Sequence, residues 1–149
     1  MSGRTAALIL LLELDGLEHT LPLMQSVDDV DAGGIVAGAL TTYFTMNRGK
    51  LELESESERN LFEMLVPFLD SDKANTRAYA LSGMMELLHW SATATPEERT
   101  LNREIVDIVN EQNRIEKDPR VKPFLDQYVK SLASGNLPFP ETTPAQPSK

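Results

Sequence analysis

The tetrapeptide Thr95-Pro96-Glu97-Glu98 restricts this chain more than any other feature. A threonine before a helix accepts an otherwise unpaired N–H of the first turn. Proline suits the next position because its missing N–H would have no partner there, and a glutamate three residues after the threonine reaches back to the threonine amide. A helix therefore begins at Pro96. Beyond it Leu101, Ile105, Ile108 and Ile115 fall on one stripe, with Gln112 in the gap, until Asp118-Pro119 stops the pattern.

Other segments repeat that logic. Ala74, Ala78, Leu81, Met85 and Leu88 step by four and three, with Asp72 placed to cap the helix they imply. Ser55 or Ser57 can start a helix carrying Leu61, Leu65 and Phe68, which Pro67 kinks or closes because it offers no amide hydrogen. Val121, Leu125, Tyr128 and Leu132 form a further stripe ended by Gly135.

In the first third, a hairpin around Asp15-Gly16 competes with a helix over residues 5–14. The hairpin would oppose Glu13 to Glu18 and place Pro22 in a strand opposite Ile9, and the segment is rich in leucine and alanine. The helix is favoured, with Gly16 as its cap. Asp29 or Asp31 caps a helix over residues 31–47 that carries Ile35, Ala39 and Tyr43 on its apolar face. Lys50 to Glu58 contains an alternating Leu-Glu-Leu-Glu run that is compatible with a short edge strand, but a linker is the favoured reading.

After Gly135, four prolines and few apolar side chains predict an extended, disordered tail whose removal leaves the melting temperature nearly unchanged. The expected fold is all-α, a compact bundle of about five or six helices. It forms a single helical domain, residues 1–135, followed by a flexible Pro-rich tail, residues 136–149.

The stretch Leu65-Val66-Pro67-Phe68-Leu69-Asp70-Ser71-Asp72, followed by Arg77, Ala80-Leu81 and Glu86-Leu87, resembles one unit of a HEAT-type helical repeat. A solenoid needs the unit to recur, and it does not. The second Pro-Phe-Leu-Asp, at 123–126, opens a predicted helix where the first, at 67–70, closes one.

Cysteine is absent from all 149 residues, which removes disulfides, thiolate metal sites and cysteine nucleophiles. It also suits a reducing compartment, so a cytoplasmic location is expected. The most apolar run, Ala6 to Leu12, is cut by Glu13 and Asp15, whereas a membrane span needs about 20 apolar residues. The run reads as core, and no membrane association is expected.

Candidate chemistry is sparse. A zinc site would have to join His19 and His89, the two histidines, to carboxylates from distant segments, so no metal and no cofactor are expected. His89, beside Trp90 at a helix end, is expected to bond terminal carbonyls or to cover apolar surface. Gly33-Gly34 and Gly38 match no nucleotide-binding fingerprint. Gly34 and Gly38, four apart, instead let a neighbouring helix approach closely, which makes that face the expected route to a homo-oligomer. Glu104, Asp107 and Glu111 are interleaved with Arg99, Arg103, Arg114 and Lys117, the pattern of a solvated face laced with ion pairs. No serine nucleophile motif is present, so an enzyme is not expected.

The charge distribution is the feature that speaks to function. Residues 13–31 hold six acids and no lysine or arginine, and residues 52–72 hold seven acids against Arg59 alone. The net charge of −9 thus leaves the rest of the chain at +3. Phosphate backbones are repelled, so direct nucleic-acid binding is not expected, whereas a negative pole steers a basic protein partner. Asp28, Asp29, Asp31, Glu54, Glu56 and Glu58 are the partner-binding candidates. The implied function is that of a non-catalytic inhibitor, immunity protein or antitoxin. The alternative is a structural or chaperone-like subunit of a larger assembly that uses apolar grooves and the tail, and a metal-carboxylate enzyme is a third reading.

Overall fold

A computed structural model describes residues 3–16, 19–20, 36, 38–40, 42–43, 46–47 and 55–141. The elements are α1 (Gly3–Asp15), α2 (Ser55–Leu65), a 3-10 turn η1 (Val66–Asp70), α3 (Ala74–Glu86), α4 (Pro96–Ile115) and α5 (Lys122–Ser134). Residues 36, 38–40, 42–43 and 46 are helical as well, and no strand occurs among the described residues. The fold is an all-α bundle, and no described helix is long and apolar enough to cross a membrane.

Local chemistry explains the helix ends. At α4 the complete capping box forms: Glu98 N donates to Thr95 Oγ1 at 3.2 Å, and Thr95 N donates to Glu98 Oε1 at 2.8 Å. Gly16 closes α1 at φ +82°, a left-handed conformation that glycine adopts without a Cβ penalty, and its amide bonds Leu12 O at 3.0 Å. The helix over the start of the chain is thus favoured over the hairpin for the reason given by its composition. Pro67 does end α2, and the chain tightens there into η1.

The core joins Leu12, Leu40, Leu61, Leu65, Leu81, Met84, Ile105, Val109, Val121 and Leu125, all excluded from water. Each such side chain contributes about 1.5–3 kcal/mol of transfer free energy. α4 packs along α5 and also meets α2 and α3, while η1 braces α2 and α3.

Several expectations need correction. Asp72 does not cap α3: the N-cap is Lys73, and its amide is satisfied by Ser71 Oγ at 3.1 Å. The buried face of α3 is turned toward Ala80, Leu81, Met84 and Leu87, leaving Ala78 and Met85 at its margin. On α4, Ile115 is 48% exposed, because the stripe is completed by Val109 and Gln112. Part of the expected linker is helix, since Ser55 to Glu58 form the first turn of α2. α1 is apolar all round, so Ile9 and Leu12 are buried while Leu10 and Leu14 face outward.

The tail boundary also moves. Leu137 is buried, Pro138 O accepts from Asn102 Nδ2 at 2.8 Å, and Phe139 O accepts from Arg99 at 3.2 Å. The Arg103 guanidinium lies 3.9 Å from the centre of the Phe139 ring. Residues 137–139 therefore belong to the folded unit. Residues 142–149 lie outside the described residues.

Gly38 is buried, and a Cβ there would meet the Tyr79 ring of the same chain at 3.6 Å. The close approach inferred for this glycine is made within one chain, which removes it from the expected homo-oligomer face. Gly34 lies outside the described residues.

Candidate functional site

The first turns of α2 and α4 come together, and a cleft of about 410 Å³ opens between them. Glu56, Glu58 and Arg59 line it from α2, and Glu97, Glu98 and Leu101 from α4. Acidic residues favour helix N-termini for local reasons, because free N–H groups and the helix dipole attract them. Two such starts placed side by side make a locally ordinary preference into a shared acidic hollow. Arg59 is the cation on this wall, and it is held by Glu104 at 2.5 Å.

His89 lies beside the cleft, in the loop after α3, in contact with two of its lining glutamates. Its main chain is gripped by Asn102, a fully buried residue of α4. His89 N donates to Asn102 Oδ1 at 2.9 Å, and Asn102 Nδ2 donates to His89 O at 2.8 Å and to Pro138 O at 2.8 Å. One amide side chain thus satisfies three part-buried backbone groups and anchors the loop that carries the imidazole.

The imidazole lies between two carboxylates. Nε2 contacts Glu58 Oε2, and Nδ1 lies 3.1 Å from Glu98 Oε2. Glu98 therefore serves twice, with Oε1 in the capping box and Oε2 facing the histidine. The Glu58 side chain is only 7% exposed. Burial pushes its carboxyl above the usual range, the His89 charge and hydrogen bond pull it down, and Glu98 adds a further push upward. The expectation that His89 bonds helix-end carbonyls or merely covers apolar surface is corrected accordingly. His19 is exposed elsewhere and its Nδ1 bonds Asp15 O at 2.9 Å.

The six partner-binding candidates divide sharply. Asp28, Asp29, Asp31 and Glu54 lie outside the described residues. Glu56 is exposed on the rim of the cleft. Glu58 also lines the cleft, but its side chain is almost buried and its Oε2 turns to His89. Positions 56 and 58 would share a face in a strand, but in a helix they diverge by about 200°. The face of Glu104, Asp107 and Glu111 is charge-balanced as expected, with Arg103 at 3.8 Å from Asp107 and Arg114 paired with Glu111. Glu97, Glu98 and His89 were not among the candidates, and the Thr95 capping signal is what could have pointed to the first two.

The fold and site define an all-α domain with an acidic cleft backed by a carboxylate–imidazole–carboxylate trio. No family model, curated protein or solved structure matches the chain.

Proposed function

We propose that this chain is a non-catalytic protein-binding domain that offers its acidic cleft to a basic surface of a partner, in the manner of an inhibitor, immunity protein or antitoxin. The observation that carries this reading is the gathering of Glu56, Glu58, Glu97 and Glu98 around one hollow, beside an arginine already engaged by Glu104. A hollow of about 410 Å³ accommodates a lysine or arginine side chain. The net charge of −9 adds long-range attraction that speeds encounter with a basic partner.

The test starts by recovering a partner with the tagged chain from the cells of origin and measuring association at low and high salt. Glu56→Lys with Glu97→Lys alters two exposed rim positions and should slow association and flatten its salt dependence. Asp107→Lys with Glu111→Lys, on the balanced face, should bind as the wild type does. Equal binding by both double variants removes this reading.

A subunit of a larger assembly is the second reading, and one observation favours it. Met85, Leu88, Trp90, Phe124 and Tyr128 line a groove of about 610 Å³ between the end of α3 and α5. Trp90 and Phe124 are about half exposed there. Association through this groove would change little with salt, because apolar burial is not screened.

A further inference from the structure

We propose that Glu58, His89 and Glu98 form a binding site for a divalent ion of the Zn²⁺ class. The three residues come from separate parts of the chain: the first turn of α2, the loop after α3 and the first turn of α4. Each offers one ligand atom, and these atoms all lie within 4.8 Å of one another. Glu58 now faces Nε2 and Glu98 faces Nδ1, so binding one ion draws both carboxylates to a single ring nitrogen, a closing from within 4.8 Å to the roughly 3.4 Å edge of a tetrahedron with bonds of about 2.1 Å. The ion takes a lone pair from one imidazole nitrogen and one oxygen from each carboxylate. A proton held in the trio leaves to solvent as it binds.

Three observations separate this trio from an ordinary surface cluster of acids. Glu58 is more than nine-tenths buried, and a carboxylate taken from water needs positive charge beside it. The trio brings two carboxylates to one imidazole, and a divalent ion held by all three side chains neutralises both carboxylates. The outer support is already built, since Asn102 fixes the His89 main chain and the Thr95 amide holds Glu98 Oε1 while leaving Oε2 for the ion. Glu58 and Glu98 also line the cleft, which gives an ion a route from solvent to their side of the trio. An imidazole with two carboxylates suits Zn²⁺ and its neighbours better than Mg²⁺ or Ca²⁺, which favour all-oxygen shells.

This inference is independent of the protein-binding reading, because it is tested on the isolated full chain. The chain is stripped with a chelator and titrated with ZnCl₂, and with MgCl₂ in parallel, by calorimetry. The ring resonances of His19 and His89 are followed by NMR. One Zn²⁺ per chain should bind, with His89 signals moving and those of His19 serving as an unmoved internal reference. Binding should weaken at least tenfold in His89→Gln and in Glu98→Gln. Glu98→Gln keeps a side-chain oxygen for the capping box, and circular dichroism verifies that each variant is folded. The site is overturned if Zn²⁺ does not saturate the wild type, if binding survives both substitutions, or if His19 responds in place of His89.

Discussion

Arg77 holds Glu116 through two parallel hydrogen bonds of 2.9 Å, Nε to Oε1 and Nη2 to Oε2, and so ties the first turn of α3 to the residue that ends α4. The pair is almost enclosed, with side-chain exposures of 15% and 3%. Its remaining valences are satisfied: Arg77 Nη1 donates to Ser71 O at 2.8 Å, and Glu116 accepts from Gln112 Nε2 at 3.0 Å and from Asp118 N at 3.2 Å. A buried pair so fully bonded avoids the desolvation loss that makes many buried ion pairs unhelpful.

The first prediction follows from its chemistry. The Arg77 guanidinium, more than any other neighbour, lowers the Glu116 carboxyl from 4.5 to about 2. A lowered carboxyl contributes stability that is present above the unfolded value and lost as pH falls through the folded one. This contribution should therefore fade between about pH 4.5 and pH 2. Arg77→Met strands a buried carboxylate and should cost about 3–5 kcal/mol at pH 7. Urea unfolding at pH 7 and pH 3 should show that the variant has lost much of the wild-type acid sensitivity. An unchanged pH slope would refute the assignment.

Core placement gives a second. Leu81 and Ile105 are fully excluded from water, so Leu81→Ala or Ile105→Ala should each cost about 2–5 kcal/mol. Ile115→Ala, at a half-exposed position, should cost less than about 1 kcal/mol although the sequence stripe includes it. Denaturant midpoints of the three variants measure the contrast, and equal losses would mean that the face of α4 is misassigned.

Asn102 provides a third. Asn102→Ala leaves His89 N–H, His89 C=O and Pro138 C=O without the partner they share, at about 1–3 kcal/mol for each group that stays dry. Deleting residues 137–149 should likewise lower the melting temperature, by about 6–12 °C for a loss near 3 kcal/mol. The two changes should be less than additive, because both release the contact between Asn102 and Pro138. Full additivity would show that they act separately.

A fourth uses the single tryptophan as reporter. Gly135 has φ −88°, so its role is one of space and not of backbone conformation: a Cβ there would collide with Trp90 Cζ3. Gly135→Ala should displace the half-exposed indole and shift its fluorescence maximum, with a stability loss of about 1 kcal/mol because the ring can move toward solvent. An unaltered emission spectrum would contradict the packing.

Much of the fold is legible along the chain because its causes are local. Thr95, Pro96 and Glu98 sit within one helical turn and declare the start of α4. Pro67 stops α2 by lacking an N–H, and Gly16 closes α1 by tolerating a positive φ. The stripe Val121, Leu125, Leu132 was readable for the same reason, since a helical period places those residues on one side regardless of what they meet. Rotational errors of about one residue in α3 arose because alanine and methionine fit either a core face or its margin. The docking of Leu137 and Phe139 was hidden by a Pro-rich composition that implies extension without saying what an extended segment lies against.

By itself, then, the sequence determined an all-α chain, the main helix boundaries and the pool of acidic residues at helix starts. The tertiary structure alone decided which of those acids meet. Glu58 and His89 are 31 residues apart, and His89 and Asn102 are 13 apart. No periodicity links residues at such separations, and their contact depends on how α2, the loop after α3 and α4 pack. Helix caps and stripes are set by the hydrogen-bonding and side-chain geometry of a few neighbours, whereas a buried polar trio forms only where packed helices bring distant segments within hydrogen-bond range.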